Sequence, residues 1–365
     1  MRRDDFIALY RVDFLAFLRF AFHETYPSKP FIAGRYLEVI ADELMRCQPN
    51  AAHRLMLNLP PRYLKSFSAS IAWPIFMAAH HPSLKICVIA GTRELAAEFS
   101  AIRGTLLQSR RLLQIFPQLR HSGTGETLTF ANKAQIVQSY VARSQIGRGA
   151  DIFIIDDPLP ARHANNDKIR TNINSWYNDE IIARLSRKNS ASLIVVMQRL
   201  HRDDLCGHIL KSEQNWRVAA LSAIAKTDER WLLSNGRIFE RLAGTVLCEG
   251  IESLDDLHFT LWAMNGLNFR AQYLQQPADG LYVSSHRTFF HDTRVPLIWK
   301  VGDEKLEPSG GMFVMREECF VEYEFFGFEN PFLLGRDMTE EEIQQEAIIQ
   351  QRELMESCRS ERRVR

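Results

Sequence analysis

No C-x-x-C pair occurs among the six cysteines, which lie scattered at positions 47, 87, 206, 248, 319 and 358. That spacing argues against a zinc framework or a disulfide scaffold and points to reduced thiols in a cytosolic protein. Membrane-spanning runs are missing as well. The apolar stretch 14–22 is interrupted by Arg19, and 69–79 is short and contains Pro74, whereas a spanning helix needs about 20 apolar residues. Met1-Arg2-Arg3-Asp4-Asp5 leads into no apolar core with a small-residue cleavage site, so no secretory leader is read. Neither an internal repeat nor a low-complexity tract stands out. A formal net charge of +1 gives no global case for nucleic-acid binding, so any DNA track has to be local. What remains is ordinary globular material: 365 residues, 46% hydrophobic and 24% charged, enough for two domains with substantial cores.

One further absence is local. The segment Leu55-Met56-Leu57-Asn58-Leu59-Pro60-Pro61-Arg62-Tyr63-Leu64-Lys65-Ser66 reads as a buried strand, a loop and the opening of a helix over 67–79. In a phosphate-binding loop of the form G-x-x-x-x-G-K-[ST], glycines would stand at Leu59 and Leu64. Lys65 and Ser66 nevertheless keep the register of that pattern. A helix start offers unpaired N–H groups to phosphate oxygens, a lysine reaches the β- and γ-phosphates, and a hydroxyl ligates Mg²⁺. On its own the segment also describes a proline-punctuated strand end followed by a helix with an ordinary surface lysine.

Support for the phosphate reading comes downstream. Asp151-Ile152-Phe153-Ile154-Ile155-Asp156-Asp157-Pro158 is an apolar run ending in two carboxylates. Such runs form buried parallel strands, and α/β sheets place ligands at the carboxyl ends of those strands. Asp156 is then positioned to hold Mg²⁺ directly or through water, and Asp157 to polarise the water that attacks the γ-phosphate. The plainer alternative is a strand followed by an Asp-Asp-Pro turn.

Around these two motifs the periodicity predicts an α/β chain. Residues 4–24 read as one amphipathic helix and 33–46 as a second. Phe31 and Tyr36 stand where aromatics can flank an adenine, although core packing is the commoner use of such residues. A strand over 84–90 falls in the chain between the phosphate-loop strand and the carboxylate strand, an arrangement of motor-type ATPases. It is followed by a helix from Glu94 to about Gln108 and a hairpin over 127–141. The glycine-punctuated, basic segment 143–150 is a candidate to touch phosphates or DNA, or equally a solvated loop. After a helix over 166–186, the strand 191–197 ends in Gln198-Arg199-Leu200-His201. Gln198 is the candidate for sensing the γ-phosphate, with Arg199 behind it. The cluster His201, Asp203, Asp204, Cys206 and His208 lacks a recurrent zinc spacing; Asp203 is read as a helix cap with Asp204 in the first turn.

Five segments in this order resemble the large terminase subunit of tailed bacteriophages and prophages, the motor that packages viral DNA. They are 58–66, Gly147-Arg148-Gly149-Ala150-Asp151 leading into 154–158, Met197-Gln198-Arg199-Leu200-His201-Arg202-Asp203-Asp204-Leu205, Leu221-Ser222-Ala223-Ile224-Ala225, and Phe269-Arg270-Ala271-Gln272-Tyr273-Leu274-Gln275-Gln276-Pro277. The resemblance covers about 14–277. It implies a P-loop NTPase of the additional-strand type, with a mostly parallel sheet flanked by helices and a small C-terminal α+β region. The domains it suggests are N-terminal helices over 1–50, an ATPase core over 51–220, a connector over 221–280 and a C-terminal region of unknown fold over 281–365. By position, Arg62, Tyr63, Leu64, Lys65 and Ser66 bind the nucleotide, Ser66 and Asp156 hold the metal, and Asp157, Gln198 and Arg62 are catalytic, with ATP and Mg²⁺ as cofactors. The implied partners are double-stranded DNA held by its backbone, the portal protein, the terminase small subunit and further copies of the chain on the portal, in the host cytoplasm and with no membrane. Arg103, Arg143, Arg148, Arg184 and Arg199 are the arginines available to act in trans.

Two departures from the family stand out. Many terminases carry Glu at the second carboxylate, where this chain has Asp157, whose shorter side chain reaches water less directly. In the family an RNase H-like nuclease with two metals follows the connector. Here the strand-borne aspartates of that fold are not found in 281–365, so nuclease activity is not expected. That region holds an aromatic, acidic stretch over 311–328, a capping-box helix start at Thr339-Glu340-Glu341-Glu342 with a helix to about Cys358, and a basic tail. The competing readings are a degenerate prophage remnant that keeps the fold without turnover, and a helicase-like ATPase.

Overall fold

The computed structural model describes residues 3–49, 51–123, 125–143, 149–185, 191–213, 215–264 and 266–277, and beyond them the backbone of short strands. The features read over 311–328 and 339–358 lie outside the described residues, apart from the strand fragments at 312–313 and 322–323. Met1–Ser253 together with Leu267–Val283 form one compact unit, and Leu254–Gly266 with Ser284–Arg365 a second. The first unit carries the site and opens with helices.

The helix expected over 4–24 is two, α1 (Arg3–Val12) and α2 (Phe14–Thr25). Asp13 causes the break. Its backbone is extended and its carboxylate accepts a hydrogen bond from Ala16 N at 2.8 Å, which caps α2 and stops α1 from running on. α3 (Tyr36–Arg46) begins three residues later than expected. The strand β1 (Arg54–Asn58) then runs into the loop 59–66.

The helix after the loop is unusual in its first turns. Phe67–Ala72 is wound with i→i+5 hydrogen bonds before α4 (Trp73–His80) continues in ordinary form. Pro74 accounts for it: a proline within a helix has no N–H to donate and its ring crowds the carbonyl four residues back, here that of Ser70. Wider winding relieves the crowding.

The order then runs β2 (Lys85–Ala90), α5 (Arg93–Leu107) capped by Thr92, α6 (Arg110–Ile115), β3 (His121–Ser122), the hairpin β4 (Thr127–Phe130) and β5 (Gln135–Tyr140), and β6 (Ile152–Asp156). Next come α7 (Asp167–Trp176), β7 (Ser192–Met197), α8 (Leu205–Ser212) and β8 (Arg217–Ala220). A second hairpin, β9 (Glu229–Leu232) and β10 (Ile238–Arg241), precedes α9 (Leu254–Ala263) and α10 (Gly266–Gln272). α9 belongs to the second unit, as do β11 (Thr288–Phe290), β12 (Pro296–Lys300), β13 (Pro308–Ser309), β14 (Met312–Phe313) and β15 (Glu322–Tyr323).

One eight-stranded sheet organises the first unit, in the order β3-β4-β5-β2-β6-β7-β1-β8. From β5 to β8 every pair is parallel, and only β3 and β4 run against their neighbours. The strand that separates the loop strand from the carboxylate strand in space is β7; β2, which lies between them in the chain, pairs on the far side of β6. This is a correction to the chain-order reading. Hydrophobic patterns mark both strands as buried alike, so they do not say which neighbours which.

Both faces of the sheet are covered. Leu55, Leu57, Ile152 and Ile154 join the core under α2 to α5, while the alternating Met56, Phe153 and Ile155 join a second core with Ile173 and Ile209 of α7 and α8. A parallel sheet clothed by helices on both sides, with an extra strand between the loop strand and the carboxylate strand, is the additional-strand P-loop NTPase fold. Among the described residues no helix is long and apolar enough to cross a membrane.

Candidate active site

Register brings three strand ends level. Asp156 lies opposite Val196, and Met197 opposite Asn58, so the carboxyl ends of β6, β7 and β1 finish side by side. Side-chain and backbone bonds lock them. Buried Asn58 donates its Nδ2 to Met197 O at 3.0 Å and to Cys206 Sγ at 3.4 Å, and Asp157 N donates to Val196 O at 2.8 Å. The two carboxylates, Gln198 and the loop 59–66 therefore share one edge, where open α/β sheets bind ligands. Asn58 was missed as a site residue; the available signal was a lone amide at the end of an apolar strand.

The loop makes up for its missing glycines with strained residues. Arg62 has φ 71° and Leu64 φ 54°, while Tyr63 and Lys65 between and after them keep negative φ. Alternation of left-handed with ordinary φ is the backbone pattern of anion nests. Each left-handed non-glycine residue costs about 1–2 kcal/mol, which the surrounding packing has to offset. The side chain of Tyr63 is fully buried and meets the ring of Tyr36 edge-on at 5.5 Å, and Leu64 packs on the core, so these two residues can offer a phosphate only their backbone. Arg62 is exposed, its charge free to meet a ligand in solvent.

Lys65 is almost completely buried, and its ammonium lies 3.2 Å from Asp157 Oδ2. Asp156 is fully buried. Ser66 Oγ donates to its Oδ1 at 2.9 Å, and Ser70 Oγ donates to its Oδ2. Burial, and then the charge of Asp157, push Asp156 up to about 7 against the pull of Ser70, Lys65 and Ser66. Asp157 itself is held at φ 43°, just past the strand end. Hard oxygen donors in small number, a hydroxyl and a carboxylate already in contact, fit Mg²⁺, which takes one or two protein ligands and completes its shell with water and phosphate. Among the described residues no group of three or more His, Cys, Asp and Glu side chains is arranged to hold an ion without such help.

Of the remaining candidates, Gln198 follows the last residue of β7 and has a buried Oε1 with no hydrogen-bond partner. Arg199 is otherwise engaged: its Nε meets both oxygens of Asp204 at 3.1 and 3.0 Å, and its backbone N donates to Gln275 Oε1 at 2.8 Å. The cap of α8 is Asp204, whose carboxylate accepts from Gly207 N, and not Asp203, which is half exposed and pairs with Lys211 and Arg202. The other members of that cluster have partners of their own: Cys206 takes the Asn58 amide, His201 Nδ1 accepts from Asp203 N and His208 meets Asn178. Besides Arg199, two of the arginines considered for action in trans are engaged at home. Arg103 is buried against Ser70 and Gln138, and Arg143 pairs with Glu126. Arg148 and the side chain of Arg184 lie outside the described residues. Tyr36 is a core residue, and Phe31 packs edge-on to Phe22 at 5.3 Å.

Neither a family model nor a curated protein matches the sequence. Solved structures do. The HK97 bacteriophage large terminase is similar over 76% of this chain and 62% of its own, at 14% identity and a TM-score of 0.45. The ATPase domain of the Thermus phage P74-26 large terminase is similar over 70% of this chain and 98% of its own, at 16% identity and a TM-score of 0.42. This chain thus spans less than two thirds of the HK97 protein's length. What the chain does is a matter for the residues at its strand ends.

Proposed function

We propose that this chain is the ATP-hydrolysing motor subunit of a phage-type terminase, which translocates double-stranded DNA into a procapsid. The observation that carries the reading is the meeting of Lys65, Ser66, Asp156 and Asp157 at the carboxyl ends of β1 and β6, with Gln198, whose buried Oε1 has no hydrogen-bond partner, after the end of β7. The nest at 62–65 and the Lys65 ammonium receive the β- and γ-phosphates, and Arg62 adds charge from the solvent side. Ser66 and Asp156 hold Mg²⁺, which when bound neutralises phosphate charge and orients the γ-phosphoryl group.

The ion pair between Lys65 and Asp157 gives the site its resting state. A triphosphate competes for the lysine, and Asp157 is then free to accept from the attacking water. Gln198 senses the γ-phosphate from the next strand end and passes its loss to the connector. DNA is held by its backbone, so binding falls steeply as salt rises. Portal protein, small subunit and further copies of the chain are the partners this role requires.

The test is DNA-stimulated ATP hydrolysis with Mg²⁺, with plasmid cleavage followed in the same tubes. Turnover in the natural chain, reduced at least about 100-fold in Lys65→Ala and in Asp157→Asn, with uncut plasmid, is the expected result. A folded natural chain without turnover would favour a remnant that keeps the fold, and cleavage would place a nuclease in this polypeptide.

A further inference from the structure

Ser70 has no place in the phosphate-loop pattern, yet it is one of two hydroxyls bonded to the buried carboxylate. Ser66 Oγ holds Asp156 Oδ1 and Ser70 Oγ holds Oδ2, so both oxygens of Asp156 have a donor and its rotamer is locked. Four residues apart on the helix, the two serines project from the same face. Ser70 is in turn fixed from behind. Pro74 has no N–H to offer the Ser70 carbonyl, and Arg103 Nη1 from α5 donates to it at 2.8 Å. The same guanidinium donates to Gln138 Oε1, whose Nε2 is bonded to Val88 O at 3.1 Å and to Ser139 O at 3.0 Å.

This brace is costly. Arg103 is 1% exposed, and among the described residues no carboxylate pairs with it. A fully buried guanidinium bound only to neutral acceptors loses hydration that a packed apolar side chain would not need. Its placement makes sense if the position of Ser70 matters.

We propose that Ser70 is a positioning residue of the metal site, holding Asp156 so that Oδ1, the oxygen shared with Ser66, faces the cation. The inference rests on the ATPase reading above. Arg103 and the wide turn forced by Pro74 keep the Ser70 hydroxyl in place while nucleotide comes and goes.

Ser68 supplies a matched control, since it is equally buried on the same turn and its hydroxyl has no partner. The experiment measures Mn²⁺ binding by electron spin resonance in the presence of ADP, and ADP binding in EDTA, on the full chain and on Ser70→Ala and Ser68→Ala. Ser70→Ala should weaken Mn²⁺ binding about 10- to 100-fold, the range for side chains that orient metal ligands, and raise the Mg²⁺ needed for half-maximal turnover. Its metal-free affinity for ADP should stay that of the natural chain. Ser68→Ala should change neither value. Equal Mn²⁺ affinity in the two variants overturns the role of Ser70 while leaving the ATPase reading intact. Failure of the natural chain to bind ADP overturns both.

Discussion

Asp156 concentrates the electrostatics of the site in one carboxyl group. Its folded pKa, about 7, lies above the usual value near 4, so between those two pH values the folded chain binds more protons than the unfolded one. Stability therefore falls as pH rises through that window, and the loss is complete above about 7. Asparagine has no proton to lose. Asp156→Asn should be the more stable protein at pH 8, by at least about 1 kcal/mol, with the gap closing toward pH 4. Urea unfolding of both proteins without nucleotide, at pH 5 and pH 8, measures this; a gap independent of pH would sink it. Turnover should be lost in the same variant. Lys65, Ser66, Asp156, Asp157 and Gln198 could be picked out as candidates in the sequence because each is a polar residue closing an apolar strand or opening a helix, and the structure joins Lys65 to Asp157 and Ser66 to Asp156. Ser70 and Asn58 were not, since a polar residue within an apolar segment does not reveal which group it meets.

At the scale of elements, the turn between β7 and α8 is held by one carboxylate. Asp204 is fully buried, and besides Arg199 it accepts from Leu200 N at 2.9 Å, His201 N at 3.3 Å and Gly207 N at 2.9 Å. Removing it leaves a largely buried guanidinium and three N–H groups without their acceptor. Asp204→Ala should cost about 3–5 kcal/mol. Asp203→Ala, which breaks half-exposed pairs with Lys211 and Arg202 and a 3.8 Å contact with His201, should cost less than about 1 kcal/mol. Denaturant midpoints of the two variants decide the matter, and equal losses would mean that the cap is misplaced. Sequence reasoning found this helix start but chose the neighbouring aspartate, because both residue types suit a cap and only the fold buries one of them. The split at Asp13 has a similar origin: the apolar spacing of α1 and α2 is nearly continuous, and a single extended residue interrupts it.

On the scale of the whole molecule, residues far apart in the chain meet at the strand ends. Gly91, just beyond β2, donates its N–H to Asp156 O at 3.0 Å, and a Cβ at position 91 would sit 2.0 Å from the Asp157 carbonyl oxygen. The backbone of the carboxylate pair thus approaches β2 so closely that only glycine fits between them. Gly91→Ala should destabilise the chain by about 1–3 kcal/mol and, by displacing Asp157, reduce ATP turnover by more than its effect on stability explains. Hydrolysis measured well below the melting temperature separates the two effects; a variant of natural activity there would show that the turn yields without moving Asp157.

Local pattern by itself determined that this is an α/β chain with several strands buried on both faces, that a lysine–serine pair opens a helix after one of them and that two aspartates end another. Burial and periodicity are properties of neighbouring residues, so they can be read along the chain. The tertiary structure alone decided that β7 and not β2 lies between the two motif strands, that Lys65 meets Asp157, that Arg103 is buried behind Ser70 and that Arg199 belongs to Asp204. Parallel strands that are apolar throughout look alike in sequence, and their order is set by the long connections and by the packing of both faces at once, which no local stretch contains.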